Sequence, residues 1–185
     1  KAKDRPEPAA EEASAALIEA PARVRPVRRT PSGSETSVVT AKQLFSRGGR
    51  FARAFGTLVH AWFEQIEWLD EMDESTLAAK WSAVVCPEDV LRERVEEEVQ
   101  RCLASADVRA AMNRPSAQAE LWREKRFEIL LGNEWLSGTF DRVVIEPHQA
   151  TIIDFKTDKV ITPEAFAERV DGYRPQLLTY REVIH

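Results

Sequence analysis

Residues 118–131, 134–146 and 150–156 are three strand-like runs separated by only two short turns, Gly132–Asn133 and the stretch EPHQ at 146–149. Turns of that length join antiparallel neighbours, so this block commits the middle of the chain to a sheet with a defined register. Upstream the apolar period is different. In FGTLVHAWFEQIEWLD (55–70), Val59, Trp62, Phe63, Ile66 and Leu69 recur at helical spacing and predict an amphipathic helix. A second helix is expected over about 72–84. A third is expected over 87–112, with Pro87 in its first turn and Val90, Leu91, Val95, Val99 and Leu103 inward. Two more are expected after the strands, over about 162–170 and 174–184, the latter with Pro175 near its start. Helices on both sides of three or more strands indicate an α/β or α+β domain.

The second hairpin brings charge together. Asp141 and Asp154 are equidistant from the midpoint of the EPHQ turn, so a plain antiparallel hairpin sets them opposite each other. Opposed residues have Cβ atoms about 4.5–5.5 Å apart, and two carboxylates that close repel unless a proton or cation lies between them. Lys156, two residues on in TIIDFKTDK (151–159), reaches the same face. Two acids and a lysine on one patch is an arrangement that holds Mg²⁺ and activates a water. It is equally an Asp–Lys–Asp salt-bridge cluster on a solvated face, and spacing alone leaves both open.

Other residues carry weaker signals. His60 lies next to, not within, the apolar face of its helix, where a lone histidine is usually structural. His148 in the turn and His185 at the chain end read as structural too. In YRPQLLTY, Gln176 and Tyr180 share a helix face by their spacing of four, with Tyr173 and Arg174 just before it. Such a face could grip a phosphate backbone or stack on a base. Glu124 in REKRF is an acid early in the first strand.

The bulk properties set bounds. At 185 residues the chain is long enough for one domain with a real core. No apolar run approaches the roughly 20 residues needed to span a bilayer. Cys86 and Cys102 fit no metal-ligand spacing, so a reducing, cytoplasmic location is the default expectation. Residues 1–36, rich in Pro, Ala, Glu and Arg, read as a linker with one short helix from about Glu7 to Ala20. The first residue is Lys1 rather than methionine, and the expectation is a piece of a longer polypeptide. Residues 1–55 hold 11 Lys/Arg against 6 Asp/Glu, about +5, and residues 56–185 hold 15 against 25, about −10. An acidic body argues against broad, non-specific coating of DNA but is compatible with a carboxylate metal site.

GTLVH opening a helix, then EKRF, GTFD, IIDFKTD and YRPQLLTY occur in this order. The set resembles the RecB/AddA-type nuclease domain of the PD-(D/E)xK superfamily, which lies at the C-terminal end of bacterial helicase–nucleases that process double-strand breaks. The resemblance covers about residues 37–185 and implies a restriction-endonuclease-like core, a central mixed β-sheet flanked by helices. It implies a Mg²⁺-dependent, Mn²⁺-tolerant deoxyribonuclease of the exonuclease type that serves recombination and repair. DNA, as single strands or duplex ends, and the helicase portion would be the partners, in the bacterial cytoplasm at the nucleoid.

Carried over residue by residue, His60, Asp141 and Asp154 resemble the family's metal ligands, with the backbone carbonyl of Phe155 as a further one. Glu124 resembles an additional active-site acid and Lys156 the catalytic lysine. Gln176 and Tyr180 resemble the motif that lines the DNA path, with Tyr173 beside it. The chain departs from the family pattern at Phe140, where the superfamily name has proline, and at Phe155, where tyrosine is common. With two cysteines it cannot by itself build the four-cysteine iron–sulfur cluster of some relatives. The competing expectation is a nuclease-fold module that no longer cuts and serves as a scaffold or guides DNA.

Overall fold

The computed structural model describes residues 27–34 and 47–184. Most of the 1–36 linker reading, including its short helix, lies outside them. The elements in chain order are β1 (Val27–Arg29), a 3₁₀ turn (Pro31–Ser34), α1 (Arg47–Glu64), a 3₁₀ turn (Leu69–Glu71), α2 (Glu74–Ala83), α3 (Asp89–Leu103), α4 (Ala106–Met112), β2 (Glu120–Leu131), β3 (Glu134–Glu146), β4 (Gln149–Ile153) and α5 (Pro163–Ile184). The fold is mixed α/β, a four-stranded mixed sheet with helices around it, consistent with a restriction-endonuclease-like core.

β3 organises the sheet. It pairs antiparallel with β2 along one edge. On the other edge it pairs with β1, in parallel at Leu136 and the two residues before it, and with β4, antiparallel from Arg142 to Glu146. The turns are those expected: Gly132 adopts φ +59, the left-handed region where glycine carries no Cβ penalty, and Glu146 pairs with Gln149 across Pro147–His148. β1 is unexpected, since Val27–Arg29 falls inside the span read as a linker. Three residues paired to a distant strand leave no periodicity to read.

Side chains on the two faces of the sheet meet different helices. Val59, Trp62, Phe63 and Ile66 of α1 pack with Leu77 of α2, with Leu91, Val95, Val99 and Leu103 of α3, and with Met112 of α4. On the opposite face Phe140 and Val143 pack against Tyr180 of α5. Gly138 is dictated by this second layer: a Cβ there would lie 2.7 Å from the Phe127 ring and 3.2 Å from Pro31.

The helical expectations need four corrections. The first helix ends at Glu64 instead of continuing to 70. The span 87–112 is two helices, because Ser105 takes extended backbone (φ −72, ψ 129) and starts α4 at its N-cap, a signal that the apolar period hides. Val90 is 62% exposed, since the inward stripe of α3 begins at Leu91 and repeats every four residues. The last two helices are one, α5, running through Pro175. Proline inside a helix costs about 3 kcal/mol. Here the helix is pinned on both sides, at Tyr173, which bonds Asp158, and at buried Gln176 and Tyr180.

One irregularity positions the charged residues that face α1. Consecutive strand residues normally face opposite ways. Yet Arg123 and Glu124 of β2 both reach α1, at the Glu64 carbonyl and His60, and so do Asp141 and Arg142 of β3, at His60 and the α1 end. The pleat therefore slips at this row. Glu124 marks the slip with φ 44, the one positive φ outside glycine among the described residues. Such a conformation costs about 1–3 kcal/mol and persists only where the surroundings impose it.

Candidate active site

The β3–β4 register runs Arg142 to Ile153 and Val143 to Ile152. Its next step sets Asp141 opposite Asp154, as the hairpin arithmetic requires, although β4 as a strand ends at Ile153. The β2–β3 register likewise sets Glu124 opposite Asp141, between the pairs Arg123–Arg142 and Lys125–Phe140. Three acids thus lie in one row, on β2, on β3 and just past the end of β4, and α1 lays His60 over the row. His60 Nδ1 is 3.5 Å from Asp141 Oδ1 and 3.7 Å from Glu124 Oε1. One ligand atom from each of His60, Glu124 and Asp141 falls within 4.8 Å of the others.

The electrostatics are those of clustered, partly buried acids around one histidine. The hydrogen bond to Asp141 and the surrounding carboxylates raise the His60 pKa against the opposing effect of burial. Glu124 is raised by burial first and by the Asp141 charge second. Asp154 is raised by burial, with the Lys156 hydrogen bond pulling the other way. An imidazole nitrogen and two carboxylate oxygens within 4.8 Å of one another make a donor set that fits a divalent ion.

Asp154 and Lys156 form a second, adjoining group. Lys156 Nζ lies 2.8 Å from Asp154 Oδ2, donates to Gln176 Oε1 at 2.9 Å and sits 4.6 Å from the centre of the Tyr173 ring. The other oxygen of Asp154 accepts from Gln176 Nε2 at 3.3 Å. Each Asp154 oxygen thus has a partner, and the cluster within 4.8 Å is formed by His60, Glu124 and Asp141. At Phe155 it is the backbone N–H that touches the cluster, donating to Asp141 Oδ2 at 2.7 Å. The Phe155 ring turns the other way, stacking on Phe63 with centroids 4.6 Å apart and meeting His60 edge-on. The apolar middle residue of Asp-Phe-Lys anchors the loop in the α1 core while its polar neighbours face the acids. Gly56 lets that loop approach α1, since a Cβ there would meet Thr157 Oγ1 at 3.2 Å.

Gln176 and Tyr180 do not line an open path. They are 3% and 4% exposed. Gln176 Nε2 donates to the Tyr180 hydroxyl, which donates in turn to the Thr139 carbonyl at 2.8 Å. Burial pushes the Tyr180 pKa up to about 12. Through this pair α5 spans the stretch of β3 between its β1 and β4 pairings and holds Asp154 and Lys156 from behind. Tyr173, partly exposed, donates to Asp158.

Two features escaped the sequence reading. Glu64, one turn after His60, lines the same open cleft of about 600 Å³. Arg126, two residues after Glu124, lines it too, and that spacing on a strand was the available signal. His148 is exposed in its turn, and His185 lies outside the described residues. No helix of the described residues is long and apolar enough to cross a membrane.

Comparison with curated proteins and with solved structures finds no match. Residues 39–185, which include the whole site, match the family model of the PD-(D/E)XK nuclease superfamily. An acid row crossing adjacent strands, with a lysine two residues beyond one of the acids, is what that family's name spells out, and this chain belongs to the PD-(D/E)XK nuclease superfamily.

Proposed function

We propose that the chain is a metal-dependent deoxyribonuclease that hydrolyses phosphodiester bonds, with Mg²⁺ as its ion and Mn²⁺ tolerated. The observation that carries this is the convergence of His60, Glu124 and Asp141 within 4.8 Å, beside a lysine held at a fixed place by Asp154 and Gln176. His60, Glu124 and Asp141 would hold the ion, with Asp154 as the neighbouring acid. A divalent cation held there would supply positive charge at the scissile phosphate and would acidify a bound water. Lys156 orients the attacking water and stabilises negative charge growing on the phosphoryl oxygens, as a preorganised cation does. Asp154 and Gln176 fix the ammonium, and the Phe155 N–H fixes the Asp141 carboxylate.

The resemblance of GTLVH, GTFD, IIDFKTD and YRPQLLTY supports the narrower reading of an exonuclease domain in a bacterial helicase–nuclease. There a helicase would deliver DNA that an acidic nuclease binds weakly alone. The test is cleavage of linear single-stranded DNA with Mg²⁺, with Mn²⁺ and with chelator, by the unsubstituted protein, Asp141→Asn and Lys156→Ala. Cleavage that needs the metal and both residues is expected. Cleavage that survives either substitution removes the assignment. Calorimetry showing no Asp141-dependent binding of Mn²⁺ would instead establish a non-cutting scaffold.

A further inference from the structure

The cleft beside the acids does not end at them. A second open cleft of about 630 Å³ runs past Ser137 and Gly138 towards Thr30. The two clefts share Arg126 and Thr139, which are cross-strand partners in the β2–β3 register. This pair lines both clefts, so a strand passing from one to the other crosses it. Arg126 is two residues from Glu124 and Thr139 is two from Asp141, so the pair lies about 7 Å along the strands from the acid row. That is the scale of one nucleotide step.

The charge pattern along the two clefts singles out Arg126. The acid end holds Glu64, Glu124 and Asp141, and the far end holds Glu128. Among the described residues, Arg126 is the one Lys or Arg lining either cleft. It forms no salt bridge or side-chain hydrogen bond with another described residue. Its neighbours in REKRF differ: Arg123 donates to the Glu64 carbonyl, and Lys125 sits 5.7 Å over the Trp122 ring. A phosphate chain passing between the clefts meets carboxylates on either side and one guanidinium between them. The planar fork of arginine suits a phosphodiester, which it can bind through two parallel N–H donors.

We propose that Arg126 binds the phosphodiester next to the one cleaved at the acid row, so that the two clefts take a nucleic-acid strand extending past the cut bond towards Gly138. This rests on the nuclease reading of the same site. A phosphate contact carries no base information, so it contributes affinity and register without sequence preference.

The experiment is fluorescence anisotropy with labelled oligothymidylate and a labelled mixed-sequence strand, in Ca²⁺ to hold cleavage down, over a salt titration. Arg126→Ala and Arg126→Gln are expected to bind both strands about tenfold more weakly. The slope of log affinity against log salt should fall by about 0.7, the loss of one phosphate contact on a single strand. Lys125→Ala should leave the slope within error. An unchanged slope in both Arg126 variants, a loss confined to one sequence, or no binding by the unsubstituted protein overturns the proposal. Asp141→Asn separates the two claims: continued cleavage by it removes the nuclease reading, whereas loss of cleavage beside unchanged binding by the Arg126 variants removes only the Arg126 contact.

Discussion

Replacing Gln176 with leucine distinguishes two roles for the residue, a contact to DNA and a brace for the lysine. The side chain is 3% exposed, and one amide makes three hydrogen bonds, accepting from Lys156 Nζ at 2.9 Å and donating to Asp154 Oδ1 at 3.3 Å and Tyr180 Oη at 3.1 Å. Leucine fills similar volume and keeps none of them. A hydrogen bond to a charged group contributes about 1.5–3 kcal/mol. If the anchor on Lys156 is felt in full in the transition state, kcat falls about 10- to 150-fold, at 1.36 kcal/mol per decade. Binding of substrate should change little, because the side chain lies behind the site. The assay is single-turnover cleavage of a labelled oligonucleotide over a range of enzyme concentrations, with circular dichroism to confirm the fold. A variant with normal kcat and a raised KM would refute the brace and place Gln176 on the DNA.

Two further predictions test the electrostatics. Arg142 is 1% exposed and donates to the carbonyls of Ile66, Glu67 and Met112, closing the ends of α1 and α4 onto the sheet, while burial holds its pKa down to about 10. Arg142→Met leaves two buried carbonyls without donors, at about 1–3 kcal/mol each. The relieved desolvation offsets part of this, so a loss of about 3 kcal/mol is expected in urea denaturation, and a loss under about 1 kcal/mol would contradict the capping role. The pH dependence follows from His60, Glu124 and Asp154, whose pKa values all lie above their ordinary 6.5, 4.5 and 3.8. Each group favours its protonated form in the fold, so its stabilising contribution is complete below the ordinary value and is lost as pH rises through the higher folded one. The metal-free protein should therefore lose stability from these groups as pH rises above about 4, with the His60 share lost above about 6.5. Mn²⁺, which needs the deprotonated donors, should raise Tm increasingly over the same range. A Tm increment from Mn²⁺ that is flat with pH, or larger at the acid end, would contradict a site built on His60.

Register and period were legible in the sequence because they are local. The EPHQ turn alone sets Asp141 against Asp154, and the observed pairs from Arg142–Ile153 to Glu146–Gln149 keep that count. The stripe Leu91, Val95, Val99, Leu103 repeats every four residues whatever it packs against. Elements whose existence depends on distant partners were not legible: β1 is three residues held by β3, and α5 continues through Pro175 because both sides of the proline are pinned to other parts of the fold.

The acids, the histidine and the lysine, their order and the hairpin that pairs two of them follow from local sequence, since turn length and side-chain alternation suffice for that. Which acid joins the histidine was decided by the tertiary structure. The slip of the pleat at Glu124 turns consecutive residues of β2 and of β3 towards α1, bringing Glu124 to His60, while α5 brings Gln176 up behind Asp154 and Lys156. A backbone angle imposed by packing and a side chain about twenty residues away in the chain leave no mark on local periodicity. Only the assembled layers make them one site.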